Sequence, residues 1–392
     1  MQPVCRDQPD GGYAVRVAIN ALFWNQPATG SGQYVRRLAA HLAEEAPDLD
    51  LLLVAPRGVS VHKPPAGADV CATSVDVRSG LGKLAFEQRA FGRAAVAQGA
   101  HVLHVPYFAP PRYSAVPSVV TIHDIIPLLL PRYRGNPLVR AYTAWVAHAA
   151  RQGALVLTDS HAAARDIRTH LGIPDERLRV IHLAADACYH PAPRAEDPEL
   201  DSLAERLGLP ERYLLYLGGF DRRKRVPELL QAYGESGLAN QLPLVIAGRL
   251  PGSDTAFHPD PRSVVRTLSM EECVIFTGWV EESDKPALYR GARAFVFPSS
   301  YEGFGLPVLE ALACGTPVIA CRGSSLDEVA GSGGLLVQEA SSGALAEAMR
   351  SLALDDALRD SLAAAGLAHA RAFSWAATAR ATAQAYGEAL DG

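Results

Sequence analysis

Short apolar runs alternate with longer stretches of helical spacing along most of the chain. In the first half, the apolar runs predict strands at 15–20, 49–56, 101–106, 118–123, 154–160 and 178–184. These runs are nearly all apolar rather than alternating, as is typical of parallel strands covered on both faces. Helical patterns lie between several of them, at 33–45, 85–97 and 161–170. The pattern predicts a doubly wound α/β domain.

A proline-rich, charged segment at 186–201 interrupts this pattern, and a second α/β series follows it. The second series has apolar runs at 213–218, 242–248, 273–278, 294–299, 317–321 and 334–337. We predict a disordered tail over 1–13, a Rossmann-like domain over 14–190, a linker over 191–205, a second Rossmann-like domain over 206–372 and a final helix over 373–392. Ligands of open α/β sheets bind at the carboxyl ends of strands, so a site in a cleft between the two domains is expected.

Composition narrows the function classes. The 392 residues are 48% hydrophobic, and 42 acidic against 37 basic residues give a net charge of -5, which predicts no nucleic-acid partner. The six cysteines are scattered without a C-x-x-C pair, which favours reduced, buried thiols over disulfides or a metal site. The first residues lack the apolar core of a signal peptide, and no run of about 18 apolar residues occurs, so a cytoplasmic protein is expected.

The stretch PSSYEGFGLPVLEALACGTPVIA, 298–320, predicts a strand end, a glycine-containing turn and a helix. Glu302 lies in the turn and Glu310 in the helix. Pro307 suits the first turn of a helix, whereas Leu306 cannot cap it, so backbone N–H groups remain available to a phosphate or sugar oxygen. The two carboxylates would accept hydrogen bonds from ligand hydroxyls. On spacing alone, a solvated turn residue and a solvated helix residue are equally consistent.

A basic loop follows the first strand of the second series. Four consecutive bases, 222–225, stand between that strand and a helix beginning near Val226. Adjacent like charges are unfavourable unless an anion neutralises them, and two or three phosphate oxygens would do so. A solvated charge run is the alternative, but the position at a strand's carboxyl end favours phosphate binding.

Two further candidates lie in the first domain. Gly30 and Gly32 follow the first strand, but Val35 occupies the place of the third glycine in a dinucleotide fingerprint. A glycine loop that approaches a ligand and a plain connection are equally consistent with this spacing. His123 and Asp124 end a buried strand, where a histidine can contact ligand hydroxyls or pair with an acid. A structural histidine is the slightly favoured alternative. The sequence indicates no metal-ligand motif.

Together these motifs resemble the retaining GT-B glycosyltransferases of glycosyltransferase family 4. Their signature, two glutamates separated by seven residues, is matched by Glu302 and Glu310. The stretches GSGQYV, IHDIIP, LTDSHAAARDI, YLGGFDRRKRV and FTGWVEES also agree in order with that family. The resemblance covers about residues 14–390 and is specific in combination, although each stretch alone is not.

The resemblance implies a role for each matching residue. Glu302 would contact hydroxyls of the transferred sugar, Glu310 would hold the ribose, and Lys224 with Arg223 would neutralise the diphosphate. The turn residues that would contact the donor are Gly303, Phe304, Gly305 and Leu306.

In the first domain, the resemblance implies that His123, with Asp124 beside it, touches the donor sugar and that Gly30 and Gly32 line the cleft near the diphosphate. Gly219 stands where many relatives carry an arginine. One phosphate contact is therefore lost, or supplied by one of the arginines 222, 223 and 225.

The implied activity is retaining, metal-independent transfer of a sugar from a nucleotide sugar, used as substrate and not as cofactor. GDP-mannose is the first choice of donor and a UDP-sugar the second, with a glycan or lipid-linked acceptor in bacterial surface polysaccharide synthesis. The alternatives are a GT-B nucleotide-sugar epimerase, which would lack the paired glutamates, and a non-catalytic binder, which would have lost site residues.

The final helix would cross back to the first domain. The segment 126–140 is either a peripheral contact with the inner membrane face or a packed loop, and the oligomeric state is open.

Overall fold

The computed structural model describes residues 14–27, 29–152, 155–338 and 341–391, so the predicted tail over 1–13 lies outside the described residues. The chain divides into two compact units. Unit 1 comprises the chain up to Leu183 together with Trp375–Gly392, and unit 2 comprises Ala184–Ser374. The division falls before the predicted linker at 191–205, much of which is helical and belongs to unit 2.

Unit 1 is built on a seven-stranded, fully parallel sheet with the strand order β3-β2-β1-β4-β5-β6-β7. The strands are β1 (Val15–Asn20), β2 (Leu49–Arg57), β3 (Asp69–Asp76), β4 (Val102–Val105), β5 (Ser118–Thr121), β6 (Leu155–Thr158) and β7 (Leu178–Val180). The order reverses direction beside β1, as in a Rossmann fold.

The central strands are buried on both faces, as their continuous apolar pattern predicts. Val17, Ala18 and Ile19 are fully buried, and consecutive side chains of one strand point to opposite faces. The edge strand β3 was not predicted, because its exposed and half-buried residues leave no apolar run.

Helices flank this sheet, and the last helix of the chain is among them. They are α1 (Gly30–Glu45), α2 (Gly80–Ala85), α3 (Phe91–Ala97), α4 (Ile126–Leu129), α5 (Pro137–Gln152), α6 (His161–Asp166) and, at the end of the chain, α15 (Trp375–Asp391). Helix α15 packs against α1, and its Thr378 hydroxyl donates to the His182 carbonyl at 2.6 Å.

Unit 2 repeats the same architecture with six parallel strands in the order β10-β9-β8-β11-β12-β13. The strands are β8 (Tyr213–Leu217), β9 (Leu244–Ala247), β10 (Val274–Gly278), β11 (Ala292–Phe297), β12 (Val318–Cys321) and β13 (Gly334–Val337). The helices are α7 (Pro198–Leu207), α8 (Val226–Ser236), α9 (Pro261–Thr267), α10 (Lys285–Gly291), α11 (Leu306–Ala313), α12 (Leu326–Ala330), α13 (Ser342–Leu354) and α14 (Asp356–Ala370).

The predicted fold class, two doubly wound Rossmann-like domains, is confirmed. Within the described ranges, no helix combines the length and the apolar character needed to cross a bilayer.

Candidate active site

The basic loop of unit 2 follows β8 directly. A single 3-10 turn spans Arg222–Lys224, and Arg225 then adopts a left-handed conformation with φ of 52° before α8 begins. The Arg222 guanidinium turns to Glu228, 2.8 Å away. A left-handed non-glycine residue at a strand-to-helix loop is a strained feature of the kind that often marks functional sites.

Glu302 meets this loop because β11 lies beside β8 in the sheet, so the loops after both strands share one edge. Lys224 Nζ lies 2.6 Å from Glu302 Oε1, and Arg223 Nη1 lies 2.7 Å from the same oxygen. All three side chains are 11–13% exposed. The structure thus brings together Glu302, predicted to bind the sugar, and Lys224 and Arg223, predicted to bind the diphosphate.

Electrostatics hold this cluster ionised. Burial alone would raise the pKa of Glu302, but the charges of Lys224 and Arg223 outweigh it and hold that pKa below its ordinary value. The Lys224 ammonium also lies 4.7 Å from the centre of the Phe297 ring, a favourable cation–π distance. Arg223 further donates to the Tyr301 carbonyl at 2.5 Å, which ties the basic loop to the backbone of the Glu302 turn.

The turn between Glu302 and α11 depends on Gly305. Its φ is 104°, and a Cβ there would lie 2.6 Å from the Leu326 side chain, so both backbone and space require glycine. Gly305 is also the N-cap of α11 and offers no side chain to cap the first turn. The Ser325 hydroxyl is bonded to the carbonyls of Phe304 at 2.6 Å and Glu302 at 2.9 Å. Ser325 therefore fixes the backbone of the turn, and the first turn of α11, which has no side-chain cap, keeps the positive end of the helix dipole.

Glu310 is buried, with 7% of its surface exposed, instead of solvated on a helix face. The Tyr289 hydroxyl donates to its Oε2 at 3.0 Å. Burial raises the pKa of Glu310 from its ordinary 4.5 to about 7, although Lys285 and Tyr289 act in the opposite direction. A buried carboxyl that titrates near neutrality excludes the solvated alternative and is a frequent property of ligand sites.

In unit 1, His123 is held in a fixed orientation. Its Nδ1 lies 2.6 Å from Asp159 Oδ2, its Nε2 lies 3.3 Å from the Pro106 carbonyl, and its ring meets Tyr34 edge-on at 4.8 Å. Burial alone would lower the pKa of the imidazole, but Asp159 outweighs it and raises that pKa. Asp124 has a local role as well, because its Oδ1 accepts a hydrogen bond from the Ile126 N–H at 2.9 Å.

A chain of buried polar groups lies behind His123. The Tyr34 hydroxyl is 3.0 Å from Thr121 Oγ1, which is 2.9 Å from His104 Nε2. His104 Nδ1 is in turn 2.7 Å from the Tyr386 hydroxyl on α15. Burial lowers the pKa of His104 to about 3, so this histidine is neutral and structural.

Gly30 and Gly32 do not form a flexible loop: they lie in the first turn of α1, whose N-cap is Thr29. A Cβ on Gly32 would lie 2.0 Å from the Gln26 carbonyl oxygen, whereas a Cβ on Gly30 would meet nothing within 4 Å. The structure therefore separates the two glycines, one required by close backbone packing and one facing open space.

Gly219 is exposed, and a Cβ there would come no closer than 3.7 Å, to Asp221. A side chain could thus be accommodated at the position where the family resemblance implies an arginine. Among the candidate substitutes, Arg222 and Arg223 are engaged with Glu228 and Glu302, while Arg225 forms no ion pair with any described residue.

The sequence analysis missed three residues that support the site: Asp159, Ser325 and Tyr289. Asp159 follows directly after β6, which is a signal that could have been used. Ser325 and Tyr289 act through contacts between elements that are distant in sequence, which no local pattern reveals.

Two Rossmann-like units, with two glutamates separated by seven residues and a basic loop against the first of them, define a GT-B glycosyltransferase. Residues 28–187 match the family model described as Glycosyltransferase Family 4, and residues 201–369 match that of Glycosyl transferases group 1. The chain belongs to the family 4 glycosyltransferases, with an overall likeness to mannosyltransferases of that family.

Individual proteins with similar sequences or structures are also glycosyltransferases or synthases by their descriptions. The chain is 32% identical over 288 residues to O-antigen chain mannosyltransferase B of Escherichia coli, covering 73% of this chain and 74% of the relative. It is 31% identical over 273 residues to the serotype-specific mannosyltransferase WbdA of Escherichia coli, covering 67% of this chain but 32% of that longer protein. Sucrose-phosphate synthase from Thermosynechococcus elongatus has the same fold, with a TM-score of 0.75 at 21% identity over 95% of this chain and 98% of that one.

Proposed function

We propose that this glycosyltransferase moves a mannosyl group from a nucleoside-diphosphate mannose, with GDP-mannose favoured over a UDP-sugar, to a glycan or lipid-linked acceptor. Transfer proceeds with retention of configuration and without a metal ion. The choice of sugar rests on the two Escherichia coli relatives, both of which are described as mannosyltransferases. The reaction chemistry rests on the residues of unit 2.

The observation that carries the proposal is that Lys224 and Arg223 both form ion pairs with the same carboxylate oxygen of Glu302. A diphosphate brings more negative charge than one carboxylate, so it competes for both cations and leaves Glu302 able to accept hydrogen bonds from sugar hydroxyls. One cluster thus serves both ends of the scissile bond. Because two cations and a helix start can neutralise the leaving diphosphate, the step has no requirement for a metal ion.

In this mechanism the bond between the anomeric carbon and the diphosphate oxygen breaks as the acceptor hydroxyl attacks from the same face. The acceptor proton passes to the departing phosphate oxygen, so the leaving group acts as the base and configuration is retained. Glu310 accepts hydrogen bonds from the ribose hydroxyls, and Arg225 supplies the phosphate contact absent at Gly219. The contact of His123 with the sugar is proposed on the family likeness alone.

The decisive experiment compares Glu302→Gln with wild type for transfer and for nucleotide binding. The variant should lose transfer by about a hundredfold or more, as expected when an interaction made in the transition state is removed, while GDP binding changes little. Glu271→Gln, at an exposed glutamate of the same unit, is the matched control. Equal losses of transfer and of GDP affinity would overturn the role of Glu302.

Donor, stereochemistry and metal dependence have separate tests. A thermal-shift screen of nucleotide sugars should give the largest rise in melting temperature with GDP-mannose, since a true donor binds the folded state. NMR of the product should show the anomeric configuration of the donor, and a chelator should leave the rate unchanged. An inverted product or a chelator-sensitive rate would contradict the corresponding part of the proposal.

For the acceptor side, we propose that unit 1 presents a membrane-facing surface. Three large apolar side chains stand exposed on segments that follow β3, β4 and β5: Leu81 (81%), Tyr113 (77%) and Leu138 (81%). Leu81 and Leu138 lie in the first turns of α2 and α5, and Tyr113 lies in the connection between β4 and β5. Exposed apolar groups beside cationic side chains are typical of interfacial contact with anionic lipid.

The stretch of sequence that contains these three residues is rich in basic side chains. Between positions 77 and 158 the sequence has nine basic residues (Arg78, Lys83, Arg89, Arg93, Arg112, Arg132, Arg134, Arg140 and Arg151) against two acidic ones (Glu87 and Asp124). This segment is positive by seven in a chain whose net charge is -5. The protein should sediment with vesicles containing phosphatidylglycerol and not with pure phosphatidylcholine. Replacing Arg132, Arg134 and Arg140 with alanine should abolish that binding, and retention of binding would refute the surface.

A further inference from the structure

A polar cavity lies in unit 2, at the opposite end of the sheet from the candidate active site. It has a volume of about 340 Å³ and is lined at the amino ends of β8, β11 and β12. Arg212 directly precedes β8, Arg293 is the second residue of β11, and Pro317 directly precedes β12. Glu302 and the basic loop follow the carboxyl ends of β11 and β8, so the two sites are separate.

Arginine dominates the lining of this cavity. Five of the lining residues are Arg194, Arg212, Arg290, Arg293 and Arg359, whereas the acidic ones are Glu211 and Asp360. The lining residues alone carry an excess of three positive charges, although carboxylates just outside the cavity pair with three of the arginines. Guanidinium groups gathered around one concave surface repel one another, and an oxyanion that accepts bidentate hydrogen bonds relieves this repulsion.

Three of the arginines are held in place by carboxylates outside the cavity. Arg290 pairs with Asp197 and Glu199, and Arg293 pairs with Asp356. Arg359 pairs with Asp356 and with the lining residue Asp360. The side chains of Glu199 and Asp356 are 69% and 68% exposed, so water weakens their hold on the arginines.

Two observations show that the arginine set exceeds what these ion pairs use. Arg194 and Arg212 are exposed, and neither forms an ion pair or a side-chain hydrogen bond with any described residue. The Arg290 side chain is 3% exposed, yet its Nη1 has no acceptor in the part of the chain that the structure describes. A buried donor without an acceptor is costly, and the exposed guanidinium groups of Arg194 and Arg212 can reach a ligand.

We propose that this cavity binds a phosphorylated polyol, such as a sugar phosphate, at a site distinct from the donor site. Arg194 and Arg212 bind the phosphate group, and the nearby positive charges of Arg290 and Arg293 also attract it. Glu211 and Asp360 accept hydrogen bonds from hydroxyl groups, which an inorganic anion lacks. The volume is within the range of small-molecule sites.

Isothermal titration calorimetry at constant ionic strength tests the site, with inorganic phosphate and mannose 6-phosphate as probes. The titrations are done in the Lys224→Ala background, which weakens phosphate binding at the basic loop, so that the effect of changing Arg194 and Arg212 reports on the cavity. One binding event should persist there, and adding Arg194→Ala and Arg212→Ala should weaken it at least about tenfold. Arg266→Ala, at an exposed arginine outside the cavity, should leave it unchanged.

Mannose 6-phosphate should bind more tightly than inorganic phosphate, and Glu211→Gln should reduce that difference. Loss of all phosphate binding on Lys224→Ala alone, or unchanged binding in the variant lacking Arg194 and Arg212, would overturn the site. Equal affinity for the two probes would overturn the polyol part of the proposal. Melting temperatures without ligand show whether each variant is folded, and none of these readouts depends on transferase activity.

Discussion

Replacing Glu310 with glutamine should change how stability depends on pH. The carboxyl of Glu310 is buried beside Tyr289, and its pKa is raised to about 7 from the 4.5 of an exposed glutamate. A raised pKa in the folded state means that folding favours the protonated form. The stabilisation is therefore fully present below pH 4.5 and is lost as the pH rises through 7. Glutamine keeps the shape and cannot ionise.

The size of the effect follows from the two pKa values. For a shift from 4.5 to about 7, linkage gives a loss of about 2 kcal/mol of wild-type unfolding free energy between about pH 5.5 and about pH 8.5. The glutamine variant lacks this term. Its stability relative to wild type should thus rise by about 2 kcal/mol across the same range.

Urea unfolding of both proteins, followed by tryptophan fluorescence at the two pH values, measures the difference. Glu271→Gln, at an exposed position in the same unit, should show no such trend. A stability difference between wild type and Glu310→Gln that is the same at both pH values would refute the assignment of a buried, titrating carboxyl. GDP binding provides a second readout, because a ribose contact that needs the carboxylate should strengthen as pH rises through 7.

Three further predictions follow from named contacts. Lys224→Ala should weaken GDP binding about tenfold or more by calorimetry, since it removes a charged hydrogen-bond donor; an unchanged affinity would contradict its role. Asp159→Asn should lower the pKa of His123 in an NMR titration, because Asp159 is what raises it, and the stability advantage of wild type should shrink as the pH rises through that pKa. Gly32→Ala should destabilise the protein by about 1–3 kcal/mol through its clash with the Gln26 carbonyl, whereas Gly30→Ala, which faces open space, should be neutral or stabilising.

The fold was predictable because parallel sheets covered on both faces leave a plain mark on the sequence. Strands such as β1 and β8 are apolar at nearly every position, and the helices between them supply the crossover connections. The edge strand β3 escaped prediction because one of its sides faces solvent. The helix within the predicted linker was not recognised, because a proline-rich composition at 186–201 does not show that residues 198–207 form a helix capped by Asp197.

The site was predictable as a set of residues but not as a set of contacts. The glycine-containing turn and the basic loop are local in sequence, and both were identified. Their meeting depends on the strand order, which places β8 beside β11, although Lys224 and Glu302 are 78 positions apart in the sequence. Glu310 shows the same limit, because a helix position in the sequence does not reveal that Tyr289 and burial enclose its carboxyl.

The pairing of Glu302 also alters the interpretation of the helix start beside it. The sequence suggested an anion site at the bare first turn of α11, with the glutamate reserved for the sugar. In the structure Glu302 is itself the anion that the basic loop holds, at 2.6 and 2.7 Å from its two cations. Under the proposed function, a donor would therefore replace one charge pairing with another instead of filling an uncompensated positive site. The diphosphate would then position the sugar ligand, because Glu302 would become available to hydroxyls once phosphate occupied Lys224 and Arg223.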